Sequence, residues 1–428
     1  PPSAVQFRPS SEGGCGLPEP GVIGMSDCCA QPGLLPLEAA LQRLLDLAGS
    51  APISEVERVA LAEADGRVLA EPLLAGLDLP PWDNSAMDGY ALCLSDWQGE
   101  PLAVSQRIFA GAAPAALQPG TCARIFTGAP MPAGADCVEM QENVELLADG
   151  RVQFTQPLKL RQNVRPQGQE TRTGEWVLEA GTRLSPIELG LAASLGAAEL
   201  WVRRRPRVAV LSTGDELVEP GKALGPGQIY NSNRQLLIGW LQRLGCQVVD
   251  GGILADDLAL TRAALGALQD VDLILSTGGV SVGEADFLGE ALRAEGELTL
   301  WKLALKPGKP LTCGQFRGVP VFGLPGNPAS TLVTFGLLAR PYLLRRLGVA
   351  AVEPLGFQVP AAFAWSKPGK RREYLRARIE QGRAVLYPNQ SSGVLRSAAW
   401  ADGLVEVLEN RTLVEGDSVR FLPFSALL

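Results

Sequence analysis

The alternation of apolar runs with helical patterns from Arg207 to about residue 350 constrains the fold more than any other feature. RVAVLS, CQVVDGGIL and VDLILS predict strands, separated by helices predicted at 233–245 and 257–268. ADFLGEALRAEG predicts another helix, followed by the predicted strands TLWKLAL, LTCGQF and VPVFGL and a long helix after Pro328. Such alternation is typical of a mainly parallel sheet with helices on both faces, in three αβα layers. Ligands of these sheets bind at the carboxyl ends of the strands.

The regions on either side of this block predict further domains, because 428 residues are too many for one core. Residues 1–32 are rich in Pro, Gly, Ser and Cys, which predicts a disordered extension. Short β-like runs separated by Pro, Gly and Asp turns predict an all-β module at 76–164, and SPIELGLAASLGAAEL (185–200) predicts a helix after it. Residues 351–428 return to short strands, which predict a β-barrel or sandwich. The expected fold class is therefore multidomain α/β plus all-β.

Composition excludes several kinds of chemistry. The chain has no histidine, which removes Ser-His-Asp and Cys-His catalysis and histidine zinc sites. A metal would be hard and oxygen-liganded, such as Mg²⁺. The net charge of −8 argues against non-specific nucleic-acid binding, and no apolar run approaches the length of a membrane span. None of the eight cysteines forms a CxxC pair, which favours reduced thiols and a cytoplasmic protein.

Three glycine-bearing loops follow predicted strands of the α/β block. They are STGDEL (212–217), STGGVSVGEAD (276–286) and GLPGNPAS (323–330). Glycine lets a backbone approach a ligand closely, and exposed N–H groups before a helix favour an anion. One such loop is commonly just a turn, but three loops at one sheet edge favour an anion site. No GK[ST] or GxGxxG pattern is present, so P-loop and dinucleotide-binding sites are excluded.

Charged residues lie close to these loops in the sequence. WKLALKPGKP (301–310) supplies Lys302, Lys306 and Lys309, and the last two flank a rigid Pro-Gly turn suited to binding an oxyanion. Glu216 and Asp286 stand at strand-to-helix junctions, where acids often cap helices and where Mg²⁺ could also bridge a carboxylate to a phosphate. The residues alone predict an α/β domain that binds a phosphorylated small molecule with Mg²⁺.

Seven motifs in order give the chain a family resemblance. DNSAMDGYA, RIFTGAPMPAGAD, STGDEL, GQIYNSN, STGGVSVGEAD, LKPGKP and GLPGNP together resemble the molybdopterin molybdenumtransferase family, the bacterial MoeA proteins related to the gephyrin E domain. The resemblance implies an elongated homodimer. Its implied domains are a split N-terminal linker and dimerisation unit (33–75 and 165–205), an inserted β domain (76–164), a molybdopterin-binding domain (206–350) and a C-terminal β domain (351–428).

The resemblance also implies a reaction and its residues. Molybdenum from molybdate is inserted into adenylylated molybdopterin with Mg²⁺ and release of AMP, and a molybdopterin adenylyltransferase is the expected partner. The implied catalytic residues are Asp88, Thr127, Glu216, Asp286, Lys302 and Lys306, with Asp88 and Thr127 contributed by the partner subunit. The implied metal ligands are Glu216, Asp286 and Asp88. The implied substrate-binding residues are Ser212, Thr213, Gly214, Ser276, Gly278, Gly279, Ser281, Gly283, Lys309, Pro325, Gly326, Asn327 and Ser392.

The chain departs from the family pattern at two positions, and two alternative functions are weighed against the transferase. Asn231 stands where the family often has aspartate, and Gln169 stands where an acid is usual, although Glu170 follows it. A non-catalytic scaffold would be expected to lose the site charges, and this chain keeps them. An ATP-dependent phosphotransferase is disfavoured because the chain has no P-loop motif.

Overall fold

The structure is a computed structural model that describes residues 33–278 and 286–427. The predicted extension at 1–32 and the predicted site residues Gly279, Ser281 and Gly283 lie outside the described residues. Within them the chain is a mixed α/β protein with eight separate sheets. The coarse prediction of α/β and β-rich regions is therefore confirmed. The domain boundaries stay predictions.

The described chain begins with one helix and two short strands. These are α1 (Leu37–Ser50), β1 (Val56–Ala60) and β2 (Leu73–Leu74). Helix α1 is amphipathic because Leu37, Ala40, Leu44 and Ala48 recur every three or four residues, and all four are buried. It therefore turns a single apolar face toward the rest of the protein.

The next segment consists of short strands. They are β3 (Asn84–Ser85), β4 (Gly89–Leu92), β5 (Ala103–Ile108), β6 (Thr121–Ile125), β7 (Cys137–Met140), β8 (Val144–Leu146), β9 (Val152–Phe154) and β10 (Val164–Arg165). Four of them form a sheet in the order β5-β6-β4-β7. Tyr90 and Leu92 pack into one apolar cluster of this module, and Ala91 between them packs into another. This alternation gives the small sheet a buried cluster on each face.

The chain then returns to the first segment. It forms β11 (Trp176–Leu178), α2 (Pro186–Ser194) and β12 (Glu199–Arg203), and the antiparallel pairs β1–β12 and β2–β11 join the two segments that flank the strand-rich module. Ser185 and Glu188 form a capping box at the start of α2. The prediction that this helix reaches residue 200 is wrong. Gly196 has a φ of 80°, a left-handed conformation that ends helices, and a strand follows.

The central region has the predicted alternation. Its strands are β13 (Arg207–Thr213), β14 (Leu217–Val218), β15 (Ile229–Tyr230), β16 (Gln247–Leu254), β17 (Leu273–Thr277), β18 (Gly296–Lys302), β19 (Leu305–Lys306), β20 (Pro310–Phe316) and β21 (Val319–Leu324). Its helices are α3 (Ser232–Arg243), α4 (Leu258–Ala267), α5 (Phe287–Glu295), α6 (Pro328–Thr334) and α7 (Arg340–Arg346), the last two joined by a π-helical turn. The six-stranded sheet has the order β16-β13-β17-β21-β20-β18.

Four strands of this sheet are parallel, and two at one edge are antiparallel. Strands β16, β13, β17 and β21 run in one direction, whereas β20 is antiparallel to β21 and β18 is antiparallel to β20. Arg317 and Gly318 connect β20 to β21 with φ values of 49° and 86°, which suits a tight two-residue hairpin. Two successive antiparallel pairings leave β18 running in the same direction as β21. The carboxyl ends of β18 and β21 therefore lie at the same edge of the sheet.

Both faces of the sheet are buried. Val208 and Val210 of β13 pack into a large cluster that includes residues of α1, α3 and α7, whereas Ala209 and Leu211 pack into a second cluster with residues of α4 and α5. Successive side chains of a strand point to opposite faces. The continuous apolar runs noted in the sequence therefore come from strands that are buried on both sides.

The C-terminal region is a single open sheet. Its elements are β22 (Phe357–Pro360), β23 (Arg372–Glu380), β24 (Arg383–Leu386), α8 (Leu395–Trp400), β25 (Gly403–Val407), β26 (Ser418–Pro423) and α9 (Phe424–Leu427). The order is β19-β23-β25-β26-β22, with β24 also paired to β23. Ala361, which follows β22, and Ala384 of β24 form a single isolated bridge instead of a continuous ladder. The described residues therefore form no closed barrel. Strand β19 joins this sheet from the central region.

No helix among the described residues has the length and apolar character needed to cross a membrane.

Candidate functional site

The three strands that precede the glycine loops lie side by side in the sheet. Ser212 of β13 is in register with Thr277 of β17, and Thr277 is in register with Leu324 of β21. The strands are adjacent and parallel, so the loops that follow them emerge from one edge of the sheet. The structure thus brings together the predicted residues Ser212, Thr213, Gly214, Ser276, Gly278, Pro325, Gly326 and Asn327.

Close backbone packing explains why glycine is needed here. Gly278 has a φ of 87°, and a Cβ atom on it would lie 2.4 Å from the carbonyl oxygen of Thr213. Gly214 has a φ of 143°, and the carboxylate of Glu216 folds back over it. A side chain at Gly278 would therefore push its loop away from Thr213, and the positive φ at Gly214 also favours glycine.

A cavity of about 780 Å³ opens beside the loops. Seven predicted residues line it, namely Gly278, Lys306, Lys309, Pro325, Gly326, Asn327 and Ser392. The opposite wall comes from the C-terminal region and includes Trp365, Arg371, Glu373, Arg376 and Gln390. Apart from Ser392, sequence reasoning missed this wall. Arg371 lies just before an ordinary β-like run, and Arg376 lies within it. The pattern of that run does not indicate which cavity its side chains face.

The charges that line the cavity are mostly positive. Among the described residues they are Lys306, Lys309, Arg371 and Arg376 against one carboxylate, that of Glu373. Lys306 Nζ lies 3.0 Å from Glu373 Oε2, and the Glu373 side chain is buried. Cations that outnumber acids in a concave site favour an anionic ligand.

Arg376 anchors the turn that carries Ser392. Its side chain is fully buried and pairs with no carboxylate of the described chain; burial lowers the pKa of its guanidinium to about 10. Its Nε donates to Ser397 Oγ at 3.0 Å and its Nη2 to the Ser391 carbonyl at 3.1 Å. The Ser392 carbonyl accepts from the Ala329 N–H at 3.0 Å, which ties this turn to the third glycine loop.

Asp286 and Glu216 belong to the same sheet edge but do not line the cavity. Asp286 caps α5, where its Oδ1 accepts from the Gly289 N–H at 2.9 Å and its Oδ2 lies 3.4 Å from Arg293 Nη2. Burial raises the pKa of Asp286, and these two contacts only partly oppose it. Glu216 is exposed. The predicted Lys302 ends β18 at this edge and is also exposed.

Asp88 and Thr127 lie together, but in the strand-rich module. Both the N–H and the hydroxyl of Thr127 donate to Asp88 Oδ1, at 2.7 and 2.9 Å. These bonds, the backbone one first, lower the pKa of Asp88 below its ordinary value. Neither residue lines the cavity of its own chain.

The two departures from the family pattern have different surroundings. Asn231 is buried and caps α3, where its Oδ1 accepts from the Arg234 N–H at 3.3 Å; its Nδ2 has no partner among the described residues. Gln169 and Glu170 line a separate hollow of about 490 Å³ together with Arg165. Thus Asn231 has a clear role in starting a helix.

Fold and site define a class of protein. This is a mixed α/β protein with a cation-lined cavity between the carboxyl edge of a mainly parallel sheet and a C-terminal β-sheet. Three family descriptions match successive parts of the chain. They are "MoeA N-terminal region (domain I and II)" at 35–196, "Probable molybdopterin binding domain" at 209–345 and "MoeA C-terminal region (domain IV)" at 358–424.

Two relatives with assigned names align with most of the chain. It is 40% identical to the molybdopterin molybdenumtransferase of Haemophilus influenzae, covering 88% of this chain and 95% of that protein. It is 39% identical to molybdopterin molybdenumtransferase 2 of Mycobacterium tuberculosis, covering 82% of this chain and 91% of that protein. The chain therefore belongs to the molybdopterin molybdenumtransferase family, and the resemblance inferred from its seven motifs is confirmed.

Solved structures agree. A crystal structure of the molybdopterin biosynthesis MoeA protein of Pyrococcus horikoshii has a TM-score of 0.78 at 28% identity, covering 91% of this chain and 100% of that one. A second structure of a protein with that name, also from this organism, has a TM-score of 0.72 at 33% identity, covering 92% and 99%. The family is one of transferases in molybdenum cofactor biosynthesis.

Proposed function

We propose that the chain inserts molybdenum from molybdate into adenylylated molybdopterin and releases AMP. Membership of the family supports the reaction class. The observation that carries the assignment to a site is the cation-lined cavity formed by Gly278, the third glycine loop and the C-terminal region. Molybdate, the phosphates and the leaving AMP are all oxyanions. A site of this charge suits each of them.

The residues of this chain have distinct tasks in that reaction. Water cleaves the phosphoanhydride bond and AMP leaves, while the two dithiolene sulfurs replace two oxygens of molybdate, which leave as water with no change in the oxidation state of molybdenum. The third glycine loop offers backbone N–H groups to the anion. Lys306, Lys309 and Arg371 offset the negative charge that grows on the leaving phosphate, as cationic groups do in phosphoryl transfer. Arg376 holds the turn of Ser392 in place.

The Mg²⁺ prediction stays part of this proposal. Among the described residues no group of three or more acids and cysteines could enclose a metal. Mg²⁺ commonly takes one or two carboxylates and completes its shell with water and substrate phosphates. Asp286 fits that donor set, because burial penalises its charge and its present contacts offset this only in part. Glu216 and Asp286, with Asp88 as a third candidate, would hold the ion, which would neutralise phosphate charge.

The homodimer also remains a proposal. Asp88 and Thr127 do not line the cavity of their own chain, so a catalytic role for them requires a second copy that presents its strand-rich module to the site. We extend the proposal to a central domain with three αβα layers. We also propose a cytoplasmic location and a molybdopterin adenylyltransferase that supplies the substrate. The free cysteines among the described residues accord with a reducing compartment.

An AMP-release assay tests the proposal. Protein, adenylylated molybdopterin, molybdate and Mg²⁺ should yield AMP together with molybdenum-loaded cofactor, and omission of molybdate or replacement by Asp286→Ala should abolish most of it. Tight binding of the pterin without conversion over hours would identify a scaffold instead. Transfer or hydrolysis from ATP under the same conditions would identify a phosphotransferase.

A further inference from the structure

The third glycine loop is held by two buried side chains. The Pro325 carbonyl accepts a hydrogen bond from the Thr331 hydroxyl at 2.6 Å, and the Gly326 carbonyl accepts one from Asn233 Nδ2 at 2.6 Å. Asn233 and Thr331 are both buried. Two successive carbonyls of this loop are therefore drawn into the protein.

The same two bonds fix where the loop's N–H groups point. In a trans peptide the C=O and the following N–H point in opposite directions. Holding the Pro325 and Gly326 carbonyls inward therefore turns the N–H groups of Gly326 and Asn327 outward. Neither N–H has a partner among the described residues, both residues are exposed, and both line the cavity.

The remaining atoms of Asn233 add a second observation. Its Oδ1 is buried without a partner among the described residues, so its one bond is the one to Gly326. A buried acceptor without a partner costs free energy. Asn233 carries such an acceptor while its Nδ2 orders a loop that faces the cavity, which favours a functional role for this side chain.

We propose that Asn233 is a positioning residue for oxyanion binding, which it serves by holding the Gly326 carbonyl so that the Asn327 N–H donates into the cavity. The inference rests on the proposed function, because the ligand is a tetrahedral oxyanion such as molybdate or the phosphate of the adenylate. Asn233 touches neither ligand in this account. Its effect passes through one peptide group.

Calorimetric titration of sodium molybdate and of AMP, each alone, tests this with three variants. Asn233→Asp keeps the size and, when ionised, offers only acceptors to the Gly326 carbonyl, and Asn233→Ala removes both donor and acceptor. Gln235→Glu makes the same amide-to-acid change at an exposed position of the same helix. We expect both Asn233 variants to bind at least one of the two anions about tenfold more weakly, the effect of one charge-assisted hydrogen bond. The Gln235 variant should bind as wild type does.

The outcomes separate this inference from the function it rests on. Wild-type affinity in Asn233→Asp, or in both variants, overturns the positioning role and leaves the proposed function intact. Failure of the wild-type protein to bind either anion contradicts the proposed cavity, and the inference with it. The anion whose affinity falls in the Asn233 variants is the one, molybdate or the adenylate phosphate, that accepts from the Asn327 N–H.

Hydrogen exchange of the wild-type protein gives a measurement that needs no variant. The segment 325–328 carries two exchangeable amides, those of Gly326 and Asn327, because both flanking prolines lack an N–H. We expect this segment to exchange fast without ligand and several-fold more slowly with saturating molybdate or AMP. Equal exchange with and without a bound anion would overturn the proposal.

Discussion

Asp286 combines a structural hydrogen bond with a charge that its neighbours compensate only in part. Its Oδ1 caps α5 through the Gly289 N–H, while burial raises the pKa of the carboxyl group. A carboxyl group whose pKa is raised in the folded state stabilises the fold fully below its ordinary pKa of 3.8, and that contribution is lost as the pH rises through the raised value. At neutral pH the ionised Asp286 therefore costs stability, which agrees with the proposed role of Asp286 in binding Mg²⁺.

Asp286→Asn should separate these two effects. The amide oxygen still accepts from Gly289, and no charge has to be desolvated. We expect a higher melting temperature than wild type at pH 7, a difference that vanishes below about pH 3.8. AMP release should fall on the order of a hundredfold. Thermal melts across pH and the AMP assay measure both; a lower melting temperature at pH 7 with full turnover would contradict this account.

Lys306 faces the cavity and pairs with the buried Glu373. Lys306→Gln should weaken molybdate binding about tenfold, because one cation of the lining is lost. The free energy of unfolding should fall by about 1–3 kcal/mol, because the buried Glu373 carboxylate loses the cation that it pairs with. Titration calorimetry and urea unfolding measure these quantities. Lys222→Gln removes an exposed lysine outside the cavity and should change neither; equal affinities in all three proteins would count against the role of Lys306.

At the scale of elements, the amino ends of the central strands are held by one carboxylate. Asp272, just before β17, receives two hydrogen bonds from Arg204, at 2.7 and 2.9 Å, and one from the Arg207 N–H at 2.7 Å. Burial alone would raise the pKa of Asp272, but these donors hold it below its ordinary value. Arg346 of α7 donates to the Asp272 carbonyl at 2.7 Å. This network lies at the edge of the sheet opposite the cavity.

Asp272→Asn should therefore destabilise the fold without altering the site. We expect the free energy of unfolding to fall by about 3 kcal/mol at pH 7, because Arg204 loses its buried partner. A lowered pKa stabilises above 3.8 and loses its effect as the pH falls through the folded value, so the deficit should shrink below about pH 4. Urea unfolding at several pH values measures this. A deficit that is constant with pH, or reduced turnover per folded molecule, would contradict it.

The elements also show how far the sequence reaches. Apolar runs and glycine loops predict the parallel strands and their shared edge, because both depend on neighbours within one domain. The end of α2 was mispredicted, since the left-handed Gly196 outweighs the apolar pattern beyond it. Arg371 and Arg376 were missed because they reach the loops through the pairing of β19 with β23, and a strand pattern does not specify a partner from another region.

At the scale of the whole molecule, the question is where Asp88 and Thr127 act. They form a bonded pair in the strand-rich module and lie outside the cavity of their own chain. In a twofold dimer each module could serve the other subunit's cavity, and the two sites would be equivalent. The proposed shared site requires this arrangement.

Heterodimers test it. Asp88→Ala and Asp286→Asn subunits, co-expressed with different tags and purified as the mixed dimer, would form one site with both residues intact and one with neither. The mixed dimer should then release AMP at about half the wild-type rate, while each variant homodimer is nearly inactive. An inactive mixed dimer would place both residues in the site of one chain.

The central claim is that the cavity between the glycine loops and the C-terminal sheet binds the oxyanions. Diffraction from molybdate-soaked crystals on both sides of the molybdenum absorption edge tests it most directly. We predict an anomalous peak inside the cavity, within hydrogen-bonding reach of Lys306 or the 325–327 loop. A cavity without a peak, with molybdenum at distant surface arginines instead, would contradict the account.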